Sequence, residues 1–170
     1  MDMLAGGHHN SLGRTDEVVE SVVSDRLRLE ELFACLKSSD EVVRMRAGDA
    51  LEKVCRRRVA WIVPYADALL DEIGRQGQAS VQWHTAQMFQ HLRTHLTNLQ
   101  LQRAIDLLQC YLSHSNDWIV LNVTMGVLAD WARADSALAR WLTPQLERLC
   151  LDPRKSVAKR ATKCLCELAE

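Results

Sequence analysis

Four stretches decide how this chain folds: VRMRAGDAL at Val43–Leu51, VQWHTAQMF at Val81–Phe89, VLNVTMGVL at Val120–Leu128 and VAKRATKCL at Val157–Leu165. Their leading valines stand 38, 39 and 37 residues apart. Self-similarity at one such period marks a repeat array, in which each unit buries its apolar face only against its neighbours. Offsets 0, 4, 7, 8 and 11 from the valine carry Val43, Ala47, Ala50, Leu51 and Val54, then Val81, Thr85, Met88, Phe89 and Leu92. The later copies carry Val120, Thr124, Val127, Leu128 and Trp131, then Val157, Ala161, Cys164, Leu165 and Leu168. At about 100° per residue these offsets fall within roughly 100°, one apolar stripe of a helix. Small residues at offset 4 let helices approach, and large ones at offsets 8 and 11 fill the space between units.

Outward from these helices, each is preceded by another. Leu29, Leu32, Phe33 and Leu36 recur at helical spacing before Ser38, Ser39 and Asp40 stop and recap the chain. Asn98 is placed to cap a helix whose stripe is Leu101, Ala104, Ile105, Leu108 and Leu112. Pro64 and Pro144 fall near or within first helices, where proline is tolerated early or kinks what precedes it. Asp40, Asp117 and Asp152 lie in the turns and suit helix caps. The opening MDMLAGGHHNSLGR has paired glycines, paired histidines and no apolar period, so residues 1–14 read as a flexible arm. Ordered structure is expected from Thr15, an N-cap ahead of Asp16 and Glu17. The pattern predicts an all-α right-handed superhelix of about four helix pairs. Residues 15–170 form one repeat domain, with repeats near 26–58, 61–95, 98–133 and 136–170.

Composition agrees. The hydrophobic share is 48%, yet there are only 7 glycines and 3 prolines, which argues against turn-rich β structure. A net charge of −1 excludes the global basic field that concentrates nucleic acid or anionic membranes. The six cysteines lie within helical patterns with no signal peptide ahead of them, so reduced thiols are expected. No apolar run reaches the ~18 residues that span a bilayer. The protein is expected to be cytoplasmic, a monomer or weak homodimer, with no membrane partner.

The run PQLERLCLDPRKSVAKRATKCL, Pro144–Leu165, resembles the HEAT-repeat pattern of proline, spaced leucines, Asp-Pro, valine, then alanine and leucine. LKSSDEVVRMRAGDAL is nearly as similar, with Val43 and Arg44 matching the family's Val-Arg pair. The resemblance spans about residues 26–170 and implies a HEAT-like α-solenoid. Gln78 stands in place of the turn aspartate, and Gln82, Leu121 and Ala158 replace the arginine, so a continuous arginine and aspartate ladder is not expected.

In such stacks the second helices line the concave side, where these proteins bind. The positions opposite the stripe bring Met45 and Trp83 together with Asn122, Gly126 and Ala129 as a shallow groove with an aromatic anchor. Met45, Trp83, Gln87, Asn122, Arg44, Arg46, Lys159 and Lys163 are therefore the candidate partner-binding residues, with the four cations supplying steering and register. The reading is a non-catalytic adaptor or scaffold that docks a peptide or helix of another protein. Its alternative is a nucleic-acid-binding HEAT-like protein that straddles a phosphate backbone with the basic patches of its first and last repeats. Asp49 with Lys53 and Glu52 with Arg56 also suit i, i+4 pairs on a solvated face.

His84, His91 and His95 share one side of a helix, but the span from His84 to His91 is too long for one ion, so no metal site is assigned. No Gly-rich phosphate loop, nucleophile elbow or CxxC pair appears, and no catalytic residue or cofactor is assigned. HEAT-like alkylpurine DNA glycosylases use tryptophans with an acidic residue. Asp117-Trp118 near Trp131 echoes this only faintly, since Asp117 suits a cap and Trp131 the core.

Overall fold

The computed structural model describes residues 2–8 and 11–169. Helix accounts for 79% of it and no strand occurs among the described residues, so the protein is all-α. The helices are α1 (Thr15–Ser24), α2 (Arg28–Cys35), α3 (Glu41–Arg57), α4 (an irregular run over 59–73), α5 (Ala79–Leu92), α6 (Asn98–His114), α7 (Trp118–Ala132), α8 (Ser136–Leu149) and α9 (Lys155–Ala169). None is long and apolar enough to cross a membrane, among the described residues.

The irregularity of α4 follows from Pro64, which has no N–H to continue an α ladder. An α turn at Val59–Ile62 gives way to a 3₁₀ turn at Val63–Tyr65, and the run ends in a π turn at Leu69–Ile73. The Gly74 N–H closes that π turn on the Leu69 carbonyl at 2.8 Å. Pro144 lies inside α8, where the Thr143 hydroxyl donates to the Ala139 carbonyl at 2.9 Å, beside the rung that proline removes.

Two compact units emerge, Met1–Leu101 and Gln102–Glu170, where the sequence reads one continuous repeat domain. In the first unit α3 packs between α1 and α5, with α2 also against α3. In the second, α9 packs on α7 and α8. The pairs that join neighbouring helices keep the repeat spacing. Lys53 with Asp16 and Arg57 with Glu20 are 37 residues apart, Glu52 with His91 is 39, and Arg160 with the Asn122 carbonyl is 38. Equivalent helices thus lie side by side within each unit, and α1 takes the place that a second helix preceding the first repeat would fill.

The predicted stripe is buried at every position except Val43, Leu165 and Leu168, which are half-buried. Trp131 at 1% and Phe89 at 0% exposure are the largest apolar side chains in that layer.

Cap chemistry differs from the sequence reading in two places. Asp40 caps α3 through the Val42 N–H at 2.8 Å, and Asp117 caps α7 through the N–H groups of Ile119 and Val120. Thr15, however, is the first residue of α1, and its hydroxyl donates to the Leu12 carbonyl instead of capping. For α6 the cap is Thr97, not Asn98. Its hydroxyl accepts the Gln100 N–H while the Gln100 side chain accepts the Thr97 N–H, at 3.2 and 3.1 Å, a reciprocal capping box. Asp152 holds the turn before α9 through Arg154, whose guanidinium and N–H draw its carboxyl pKa down to about 2. Arg154 also donates to the Asn116 carbonyl in the turn one repeat earlier, at 2.5 Å.

Candidate functional site

The flank of the second helices in the first unit is less open than amphipathic spacing implies. Because α1, α3 and α5 lie side by side, residues beyond the apolar stripe also become buried. Asp49 and Glu52 are each 9% exposed and His84 is 7% exposed. Buried polar groups need partners, and these find them. The Lys53 ammonium bridges Asp49 at 2.8 Å and Asp16 at 2.7 Å. Glu52, expected to pair with Arg56, accepts instead from His91 Nε2 at 3.0 Å across the α3–α5 interface. His84 Nδ1–H donates to Gln87 Oε1 at 3.1 Å. Among the described residues no group of three or more His, Cys, Asp or Glu side chains is placed to hold a metal ion.

Arg46 differs most from its expected role. Only 1% exposed, it cannot steer a partner. Its guanidinium is enclosed by main-chain carbonyls of the opening segment. Nη1 donates to Leu4 and Gly6 at 2.8 and 2.6 Å, Nη2 to His8 at 3.0 Å, and Nε to Ser11 at 2.8 Å. The five N–H donors of a rigid planar fork suit this cage. The described part of the stretch read as a flexible arm, residues 2–8 and 11–14, therefore belongs to the fold, with Asp2–Leu4 in a 3₁₀ turn and Leu4 fully buried. Its glycines permit the wrap. Gly6, Gly7 and Gly13 have φ of 70°, 73° and 55°, and a Cβ on Gly13 would stand 3.1 Å from Arg46 Cζ. Met1, His9, Asn10 and Glu170 lie outside the described residues, and with them the metal reading of the His8–His9 pair.

Arg44 is likewise engaged. It donates to Gln78 Oε1 at 2.7 Å and to the carbonyls of Ser38 and Ser39 at 2.7 and 3.0 Å. Gln78 in turn donates to the Glu41 carbonyl at 2.8 Å, tying the start of α5 to that of α3. With Arg57 on Glu20, the first-repeat cations that were to straddle a phosphate backbone are largely committed to internal partners. Met45, Trp83 and Gln87 remain half-buried, and the Trp83 ring lies edge-on to that of His84 at 5.4 Å.

Burial lowers the His84 pKa below the usual 6.5, against the opposing pull of Asp49, Glu52 and its Gln87 bond and with help from Lys53. The folded protein thus holds this imidazole neutral where the unfolded chain would protonate it. Stability tied to His84 is fully present above pH 6.5 and is lost as pH falls from 6.5 towards the depressed folded value. The slope is at most ~1.4 kcal/mol per pH unit. Urea unfolding of the wild type and His84→Gln across this window checks it. The variant should have a shallower dependence, and equal slopes would sink the assignment.

The second unit supplies an open site. A cleft of about 420 Å³ between α7 and α9 is lined by Asn122, Val123, Ser156, Lys159, Arg160 and Lys163. Three of these, Asn122, Lys159 and Lys163, were singled out by their spacing alone. Lys159 is exposed and has no partner among the described residues, whereas Lys163 lies 3.5 Å from Glu167. Sequence spacing missed Arg160 as a site residue. Its Nε donates to the Asn122 carbonyl at 3.2 Å, and its guanidinium lies over α7 at Gly126, where a Cβ would come within 2.0 Å of Nη2. Ala129, expected in the groove, is 1% exposed and belongs to the core. Asp117 is engaged as a cap and Trp131 is in the core, so neither is presented as in a glycosylase groove.

Comparison with known proteins adds no relative: no protein family, no curated protein and no solved structure matches this chain.

Proposed function

We propose that this protein is a HEAT-like helical scaffold that binds a segment of another protein on its second-helix surface, without catalysis, in the cytoplasm. The observation that carries this reading is the cleft on α7 and α9, whose lining combines Val123 with three cationic side chains, Lys159, Arg160 and Lys163. Clefts of ~300–1,000 Å³ suit a few side chains of a ligand. The repeat spacing of the interhelix pairs supports the HEAT-like reading. Half-buried Met45, Trp83 and Gln87 offer additional contact surface on the first unit. Arg44 and Arg46 leave the proposed binding set, because their guanidinium groups are held by internal acceptors.

A pull-down from nuclease-treated host lysate tests this, comparing the wild type with Trp83→Glu and Lys159→Glu after circular dichroism confirms that each is folded. Capture of a protein that survives nuclease and is lost with Lys159→Glu is the expected result, with Trp83→Glu weakening it as well. Capture that vanishes with nuclease transfers the reading to nucleic acid.

A further inference from the structure

The cleft does more than offer apolar surface, since its cations are arranged by the backbone beneath them. Lys159 and Lys163 are successive-turn neighbours on α9, and Arg160 comes from the flank of the same helix. In an isolated helix Arg160 would be free to swing away. Here Gly126 leaves room for the guanidinium to lie on α7, and the Asn122 carbonyl fixes its Nε at 3.2 Å. The Nε donor is thus satisfied by the protein, and the side chain so held is part of the cleft lining. No acidic residue lines it.

Resting on the scaffold reading above, we infer that this cleft takes an acidic peptide segment, whose Asp or Glu carboxylates meet Lys159, Arg160 and Lys163 while its aliphatic side chains lie on Val123. Charge complementarity selects an anionic ligand. The limited volume favours a peptide over a duplex, whose binding needs an extended basic track, and the first unit's cations are drawn inward by Ser38, Ser39, Gln78, Asp16, Asp49 and Glu20. Orientation of Arg160 by Gly126 supplies a pre-positioned guanidinium, the group best matched to a carboxylate.

The test is fluorescence anisotropy at low salt, using full-length protein with fluorescein-labelled polyglutamate, polylysine and single-stranded oligothymidylate of matched length. Polyglutamate should bind and polylysine should not. Lys159→Glu should weaken polyglutamate binding by about tenfold, and Lys155→Glu, a charge-matched change on an exposed residue outside the cleft lining, much less. Gly126→Ala is the sharper variant, because it leaves net charge unchanged. Its methyl must displace the end of a flexible side chain, and alanine is the better helix former, so the protein stays folded while Arg160 loses its seat. A several-fold loss with Gly126→Ala is expected. Absence of polyglutamate binding, or equal effects of Lys159→Glu and Lys155→Glu, overturns the acidic-peptide assignment. Variant-sensitive capture from lysate would then still stand for the scaffold. Oligothymidylate binding with the same affinity and the same sensitivity to these variants would overturn it in favour of a phosphate ligand.

Discussion

Arg46→Met lowers the free energy of unfolding by about 3 kcal/mol and exposes the opening segment to protease, while leaving the helical content of α5 to α9 unchanged. The size follows from what is removed. A charged donor satisfies four carbonyls, from Leu4, Gly6, His8 and Ser11, at 2.6 to 3.0 Å. Each buried acceptor left unpaired costs about 1–3 kcal/mol, although some of these carbonyls regain water when the segment loosens. Without the cage, the chain around Gly6, Gly7 and Gly13 keeps its conformational freedom but loses what it wraps. Leu4, fully buried, is then held only by apolar contact. Arg46→Lys recovers little of the loss, since an ammonium has three donors and no planar fork. Chemical denaturation gives the energy, and hydrogen exchange with limited proteolysis localises the release. An opening segment equally protected in Arg46→Met would show that the cage is dispensable.

Phe89→Ala is the larger lesion, at about 4 kcal/mol. Phe89 is fully buried at offset 8 of α5, and truncating such a ring removes both its transfer energy and its packing. The equivalent residue of the last repeat, Leu165, is only half-buried. Leu165→Ala should therefore cost about 1 kcal/mol, less than the ~2–5 kcal/mol of a fully buried leucine. Identical register with unequal cost follows from unequal burial, since the Phe89 layer on α5 is closed and the Leu165 layer on α9 is only half covered. Comparable losses at the two positions would contradict that layering.

The apolar side of this architecture is legible in the sequence, because spacing of 37 to 39 residues and offsets within a helix report directly on burial. The prolines were legible too. Pro64 disturbs α4 for the reason its missing N–H implies, and Pro144 stands within α8 as its position suggests. The polar side was harder to read. Helical spacing alone places Arg46, Asp49, Glu52 and His84 on a solvated flank, since it describes one helix and not its neighbours. Once α1, α3 and α5 lie side by side, those flanks face each other, and local i, i+4 pairing gives way to Glu52 with His91 and Lys53 with Asp16. A signal for this was present. Asp16 and Glu20 precede Lys53 and Arg57 by one repeat length, so opposite charges recur at the period that apolar residues follow. At the site, Asn122, Lys159 and Lys163 come from spacing, whereas Arg160 depends on the space that Gly126 leaves.

The most direct measurement of the proposed partner binding on the second-helix face is photo-crosslinking in nuclease-treated lysate, with benzoylphenylalanine placed in turn at Ser156, which lines the cleft, and at the exposed Glu147 of α8. A discrete protein adduct from Ser156, absent from Glu147 and abolished by Lys159→Glu, is the predicted result. An equal adduct from Glu147, or an adduct from Ser156 indifferent to Lys159→Glu, would contradict it.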